Sequence, residues 1–114
     1  MMLIKFFKYF FILIFTYILF FFLLFCFNPA FSDDKLDLGL QVYNDKAQCG
    51  TCHILKASGS KGNIGPNLDI LKPSVAIIIS AVTNGIGVMP PWGGILTQEE
   101  IEAVAHYVFI NTNK

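Results

Sequence analysis

CGTCH, at residues 49–53, places two cysteines on either side of a two-residue spacer and a histidine directly after them. Four kinds of site are compatible with this pattern: a zinc knuckle, a redox dithiol, a disulfide loop and a haem attachment site. These sites differ in the surroundings that they require. The rest of the chain therefore has to decide between them.

The N-terminal segment has the pattern of an export signal. Lys5 and Lys8 form a short basic region, and the 19 residues at 9–27 are almost unbroken apolar side chains. The tripeptide Ala-Phe-Ser at 30–32 then has the small-x-small pattern of a signal peptidase site. This pattern predicts cleavage after Ser32.

An apolar run of this length also fits a membrane-spanning helix. Residues 1–32 are therefore predicted to be either a signal peptide or an uncleaved membrane anchor. In both cases the basic end stays in the cytoplasm and the acidic flank is exported. Residues 33–114 are expected to form one domain that is periplasmic, or anchored to the inner membrane and facing the periplasm.

The predicted domain is small and weakly charged. Its six lysines and eight acidic residues give a net charge of −2, and the chain contains no arginine, which argues against binding to nucleic acid. Eleven of the twelve phenylalanines lie in residues 1–31, so few large side chains are left for a core. A domain of about 82 residues usually needs an additional stabilising element.

Three segments repeat apolar residues at i, i+3, i+4 and i+7, which predicts an all-α domain with three main helices. The first apolar face comprises Leu36, Gly39, Leu40 and Tyr43. The second comprises Val75, Ile78, Ile79 and Val82. The third comprises Ile101, Val104, Ala105 and Val108.

Local signals predict where these helices begin and end. Ser32, Asp33 and Asp34 offer N-caps for the first helix, and CGTCH is expected to close it. Gly85 is a suitable C-cap for the second helix. The third begins with a capping box, in which Thr97 is the cap and Glu100 is the third helical residue.

The segments between the helices predict two long loops, residues 54–72 and the stretch GIGVMPPWGG. Nearly half of the domain would then be irregular. A compact domain carries such loops when they serve a function. We expect them to wrap a large apolar cofactor, which would supply the missing core.

These surroundings favour haem attachment over the other three sites. A zinc site needs two close pairs of ligands, whereas His106 stands alone on a distant helix. A redox dithiol needs a βαβ pattern, and none is present. A disulfide between Cys49 and Cys52 would leave His53 without a role. Haem attachment uses all three residues, with two thioethers and His53 as the proximal iron ligand.

A sixth iron ligand is then expected, and Met89 is the only methionine of the domain. It lies 36 residues after His53 and is followed by two prolines, which make the segment rigid. Together, Met and His ligation raises the reduction potential of the iron. The competing ligand, His106, is predicted to be solvent-exposed instead.

With these features, the chain resembles a class I c-type cytochrome of the small bacterial monohaem kind. The resemblance covers about residues 36–110 and is carried by four segments, GLQVYNDKAQCGTCH, GPNL, NGIGVMPPWGG and LTQEEIEAVAHYV. It implies a cytochrome c-like fold in which helices and loops wrap one covalent haem c with its iron.

The resemblance also implies two contacts. The Pro66 carbonyl would accept a hydrogen bond from His53, and so orient the imidazole. Gly39 and Tyr43 on the first helix would meet Val104 and Tyr107 on the last.

The expected function is single-electron transfer between redox protein donors and acceptors, with no enzymatic activity and no small-molecule substrate. Two alternatives stay open. The domain would be a tethered subunit of a periplasmic oxidoreductase complex, such as a sulfite dehydrogenase, or a haem enzyme or gas sensor in which Met89 is displaced.

Three smaller predictions concern the surroundings of the haem. Trp92 either packs on the haem or covers the loop. Asn67 is expected to shape a turn. Four lysines are expected to be solvated, with a docking face as the alternative: Lys46, Lys56, Lys61 and Lys72.

Overall fold

The computed structural model describes residues 1–26 and 34–114. Its contacts divide the chain into two compact units, Met1–Phe31 and Ser32–Lys114. The predicted cleavage after Ser32 lies outside the described residues, so this boundary stays a prediction.

The first unit contains α1, Met2–Cys26. Its stretch Met2–Leu24 has a mean hydropathy of 2.3 and is exposed along its length. The helix is long and apolar enough to cross a membrane. Because a signal sequence has the same properties, the helix is compatible with both predicted roles of this segment.

The second unit is mainly helical. Its α-helices are α2 (Asp34–Gln41), α3 (Leu68–Leu71), α4 (Val75–Asn84) and α5 (Gln98–Thr112). Tighter and wider turns are found at Val42–Lys46 (π-helical), Cys49–Thr51 and Lys56–Ser58 (both 3-10). A small antiparallel hairpin consists of β1 (Ile54–Leu55) and β2 (Ser60–Lys61).

The crossing of α2 and α5 forms the centre of the domain. A Cβ atom on Gly39 would lie 2.3 Å from the Ala103 carbonyl oxygen and 2.5 Å from the Tyr107 Cβ, so only glycine allows this approach. One turn later, the rings of Tyr43 and Tyr107 pack with their centroids 5.8 Å apart. The expected crossing is present, with Ala103 and Tyr107 as the nearest neighbours of Gly39.

The first helix differs from its prediction in two respects. Leu40 is 37% exposed, whereas Val42 and Tyr43 are both fully buried. The π-helical turn accounts for this difference, because its wider backbone turns two successive side chains toward the core. The predicted cap Asp34 begins α2, and the other two, Ser32 and Asp33, lie outside the described residues.

The prediction that CGTCH closes the first helix is also wrong. The helical turns end at Lys46, and Gln48 adopts the left-handed conformation with a φ of 48°. A left-handed residue cannot continue a right-handed helix. CGTCH therefore starts a separate turn, which is free to take the shape that the site needs.

The predicted loop at 54–72 contains short elements that periodicity cannot detect. Its two strands have two residues each, and α3 has four residues. Asn67 caps α3, since its side-chain oxygen accepts hydrogen bonds from the backbone N–H groups of Asp69 and Ile70. The prediction that Asn67 shapes a turn is confirmed.

The other two helices agree with their predictions. In α4, Ile78 and Val82 are buried, and Gly85 caps the helix in a left-handed conformation. In α5, the four predicted face residues are all buried. Both bonds of the predicted capping box are present, from Glu100 N–H to the Thr97 hydroxyl and from Thr97 N–H to the Glu100 carboxylate.

Candidate haem site

The CGTCH segment forms a compact turn that carries three of the predicted site residues. The Cys49 carbonyl accepts hydrogen bonds from the N–H groups of Cys52, at 3.1 Å, and of His53, at 3.0 Å. Both cysteines are partly buried free thiols. The turn therefore holds two thiols and an imidazole on one short piece of backbone.

The two thiols differ in their environment. Cys49 packs against the main core cluster of the domain. Burial raises the pKa of its thiol to about 11, with a smaller contribution from Cys52. The thiol is consequently protonated at neutral pH, because desolvation penalises the charged thiolate.

His53 is oriented by the backbone of the GPNL segment. Its Nδ1 lies 2.8 Å from the carbonyl oxygen of Pro66. A carbonyl oxygen only accepts hydrogen bonds, so Nδ1 carries the proton and donates it. The lone pair is then on Nε2, the nitrogen that remains available to a metal ion.

Gly65 is a site residue that the sequence analysis missed. A Cβ atom at this position would lie 2.5 Å from Cε1 and 2.8 Å from Nδ1 of His53. The Gly65 N–H also donates to the carbonyl of Cys52, at 2.8 Å. The imidazole thus lies directly against bare backbone. The only sequence signal for this contact is that Gly65 directly precedes Pro66 in the GPNL segment.

The hairpin supports the turn from the other side. The Gly62 N–H donates to the Gly50 carbonyl, at 3.2 Å. A Cβ atom on Gly62 would lie 2.5 Å from the Thr51 carbonyl group. The hairpin backbone is therefore packed tightly against the residues between the two cysteines.

Met89 lies on the second loop, which is folded back on itself. Ile86 and Met89 exchange backbone hydrogen bonds of 3.1 and 2.9 Å. The loop is fixed to α4 by a bond of 2.8 Å from the Trp92 N–H to the Val82 carbonyl. Gly85 lies in close contact with the loop, since a Cβ atom there would be 2.6 Å from the Met89 carbonyl oxygen.

The structure brings the predicted site residues together in two groups. Cys49, Cys52, His53 and Pro66 form one cluster of direct contacts around the turn. Met89 is half-buried on its own loop and packs against the same core cluster as Cys49. Trp92 is also half-buried on this core, which is compatible with either of its predicted roles.

The second half of the domain exposes an unusual amount of aliphatic surface. Between residues 64 and 95, seven large aliphatic side chains are 54–84% exposed: Ile64, Ile70, Leu71, Ile77, Ile86, Val88 and Ile95. Exposed apolar surface on this scale normally marks a binding site. It fits the expectation that the loops surround a large apolar group.

His106 differs from its prediction. The side chain is half-buried rather than solvent-exposed. Its neighbours Ala105 and Tyr107 are both buried, because α5 is packed on more than one side. The four lysines expected to be solvated are all exposed, and Lys46 also forms an ion pair with Glu100.

Comparison with protein families identifies the family to which the chain belongs. The profile of a family described as "Cytochrome C oxidase, cbb3-type, subunit III" matches residues 34–108, which include the whole of the site. The chain belongs to the monohaem c-type cytochromes. The predicted resemblance is therefore confirmed.

Individual cytochromes agree with this result. Cytochrome c6 from Microcystis aeruginosa is 41% identical over 76 residues, which cover 60% of this chain and 89% of that protein. Chloroplastic cytochrome c6 from Chlamydomonas reinhardtii is 38% identical over 88 residues, or 68% of this chain and 55% of that protein. The chain thus spans little more than half the length of the chloroplastic relative.

A solved structure extends the likeness to the fold. The c-type cytochrome SorU from Sinorhizobium meliloti matches with a TM-score of 0.68 and 47% identity, over 73% of this chain and 97% of that chain. The all-α, cytochrome c-like fold is therefore confirmed. Cytochromes of this family transfer electrons and are not enzymes.

Membership of this family implies a covalently bound haem c, and the residues present fit it. Two thiols are held on one turn, the free nitrogen of His53 is Nε2, and Met89 offers a soft thioether sulfur. The exposed aliphatic residues between 64 and 95 offer the apolar contacts that a porphyrin needs. When bound, the haem supplies an iron that changes charge by one electron.

Proposed function

We propose that this cytochrome is an exported carrier of single electrons between periplasmic or membrane-bound redox proteins. The observation that carries the proposal is the prepared turn, in which two free thiols accompany a histidine already oriented by Pro66. This arrangement has no role in a zinc or disulfide site, and it suits one covalently attached haem.

Each site residue has a specific role in this proposal. Cys49 and Cys52 would hold the haem through thioethers, and His53 and Met89 would bind its iron. Pro66 fixes the imidazole through the hydrogen bond to Nδ1. With both iron ligands supplied by the protein, a substrate would have no place on the iron, and the site would suit electron transfer alone.

The optical spectrum and a carbon monoxide titration test this function. The oxidised protein is expected to show the weak long-wavelength band of sulfur-to-iron ligation, and the reduced protein is expected to bind carbon monoxide slowly. Met89→Ala should lose the band and bind carbon monoxide rapidly. Rapid binding by the natural protein would instead favour the haem enzyme or gas sensor.

A second candidate function is supported by α1. A helix able to cross a membrane would keep the cytochrome domain at the membrane surface, as a tethered subunit of a larger oxidoreductase complex. The description of the matching family, an oxidase subunit, points the same way. A sulfite dehydrogenase-like complex is one such assembly.

Fractionation of cells distinguishes the two candidates. A free carrier is expected in the soluble periplasmic fraction with residues 1–32 removed. A tethered subunit would stay with the membrane, retain those residues and co-purify in detergent with a catalytic subunit.

A further inference from the structure

A chain of hydroxyl groups lies beneath the attachment turn. Tyr43 is fully buried, and its phenol oxygen lies 3.1 Å from Oγ of Ser60. Ser60 Oγ lies 2.9 Å from Oγ of Ser58. The two serines are partly buried at the edge of a mainly apolar core, and the proposed electron-transfer function does not use this network.

The hydrogen bonds of this network can all be assigned without conflict. Each hydroxyl group donates once. Tyr43 donates to Ser60 at 3.1 Å, whereas Ser58 and Ser60 both donate to the Leu55 carbonyl, at 3.0 and 3.3 Å. Ser60 also accepts the Leu55 N–H at 3.0 Å. Every donor is satisfied, so the network is a rigid link rather than a loose polar pocket.

The network joins three elements that meet at the turn. Tyr43 belongs to the π-helical turn, Ser60 belongs to β2, and Leu55 follows His53 by two residues. The contact lies directly against Gly50, the residue after the first cysteine. A Cβ atom on Gly50 would be 2.6 Å from the Ser60 Cβ and 3.5 Å from Cε1 of Tyr43.

We propose that Tyr43 and Ser60 are positioning residues for haem attachment, and that their hydrogen bond holds the CGTCH turn in the shape that thioether formation requires. The inference rests on the proposed haem site. In each attachment a thiol S–H adds across a vinyl C=C bond. A C–S bond forms, the hydrogen goes to the other vinyl carbon, and no oxidant or leaving group is involved.

The hydroxyl network acts before the haem is attached. Before attachment, the aliphatic surface between residues 64 and 95 lacks the apolar contacts that the haem would supply, so the shape of the turn depends on contacts between protein groups. The hydroxyl network needs no haem, because all of its members are protein groups. It therefore acts on the apoprotein, at the stage when both thiols have to meet their vinyl groups in a fixed geometry.

Attachment kinetics on the full chain, with free haem and reductant, test this proposal. The fraction that carries covalent haem is followed by intact mass. Tyr43→Phe keeps the aromatic packing and removes the link, and about a 5-fold slower attachment is expected for the loss of one net hydrogen bond. Ser60→Ala should be at least as slow, because it leaves the Tyr43 hydroxyl buried without a partner.

A double-mutant cycle and two controls separate positioning from general stability. Tyr43→Phe combined with Ser60→Ala should be no slower than Ser60→Ala alone. Ser60→Thr keeps the hydroxyl and should restore the rate. Thr112→Val removes another buried hydroxyl, whose hydrogen bonds stay within α5 and its C-cap residue Asn113, and should attach haem at the natural rate.

Each outcome decides the question. Equal rates for the natural protein and Tyr43→Phe, or equal slowing by Thr112→Val, would overturn the positioning role alone. Failure of the natural protein to form any thioether would overturn the proposed function itself. Once loaded, the variants should show the natural sulfur-to-iron band, since the network acts on attachment and not on the axial ligands.

Discussion

The helix crossing and the loops between His53 and Leu96 are built in opposite ways. At the crossing of α2 and α5, backbones touch at Gly39 and two tyrosine rings pack together, so this region is complete with protein groups alone. The segment between His53 and Leu96, which includes α4, keeps seven aliphatic side chains more than half exposed. The helix crossing therefore has a core of its own, whereas the loops leave apolar surface available for the haem that the family implies.

The attachment turn lies where these two regions meet. Cys49 packs on the core that the helices form, whereas His53 is held by the GPNL segment of the first loop. A covalent haem at this turn would join the two regions into one structure.

Removal of both attachment thiols should have the largest effect. Cys49→Ala together with Cys52→Ala prevents covalent attachment, so the loops lose the group that covers their aliphatic surface. We expect loss of the cooperative thermal transition, since the cofactor supplies much of the core. Circular dichroism on heating checks this. Cys26→Ala, which is outside the motif, should leave loading and melting unchanged, and a sharp melt of the double variant would contradict the account.

Damage to the helix crossing should come next. Gly39→Val places a side chain where a Cβ atom already lies 2.3 Å from the Ala103 carbonyl oxygen. The helices must separate, at a cost of about 3 kcal/mol. Denaturant unfolding of the holoprotein measures this loss. Gly59→Val is the control, because its added Cβ meets nothing within 4 Å, although its left-handed φ of 69° adds some strain.

Replacement of Met89, the proposed sixth ligand, should change the properties of the iron and leave the helices intact. Met89→Leu keeps the volume of the side chain and should cost less than about 1.5 kcal/mol in stability. The reduction potential should fall, because thioether ligation favours the reduced iron. Voltammetry measures the change, with Val88→Leu in the same loop as control. An unchanged reduction potential would show that Met89 does not bind the iron.

A smaller effect is expected from substitution of Gly85, which lies against the backbone of Met89. Gly85→Ala adds a Cβ atom 2.6 Å from the Met89 carbonyl oxygen, at a residue with a φ of 72°. The loop must shift, and part of the population should lose sulfur ligation. The sulfur-to-iron band should therefore weaken while the thermal midpoint changes by only a few degrees. Gly87→Ala has a similar left-handed φ but open space around it, so it controls for backbone strain.

The smallest effect concerns the ion pair between Lys46 and Glu100, which links the π-helical turn Val42–Lys46 to α5. The hydrogen bond from Lys46 lowers the pKa of Glu100. Its stabilisation is therefore present above the ordinary pKa of a glutamate, about 4.3, and is lost as the pH falls through the lower folded value. Glu100→Gln should flatten this part of the stability profile, and salt should weaken the natural pair. If the stability of the variant changes with acidic pH as it does in the natural protein, the ion pair contributes nothing to stability.

The same division between the two regions explains how much the sequence could predict. The faces of α4 and α5 were correct because their burial is periodic, and the capping box was correct because it is local. Leu40 was wrongly placed because a π-helical turn leaves no sequence signature. The hairpin was missed because strands of two residues have no detectable alternation.

At the candidate site, only the grouping of residues that are neighbours in the sequence was predictable. CGTCH gave Cys49, Cys52 and His53 together because they are adjacent in sequence. The part of Gly65 could not be predicted, since contact with the His53 ring depends on how a separate segment folds back. The Tyr43–Ser60 link was missed for the same reason, because it joins residues 17 positions apart through side chains that occur in any soluble protein.

Intact mass of the exported protein tests the central claim most directly. The account predicts one haem added to the mass of the chain, with Cys49 and Cys52 both inaccessible to thiol reagents. The mass of the apoprotein, with two reactive thiols in the motif, would contradict it.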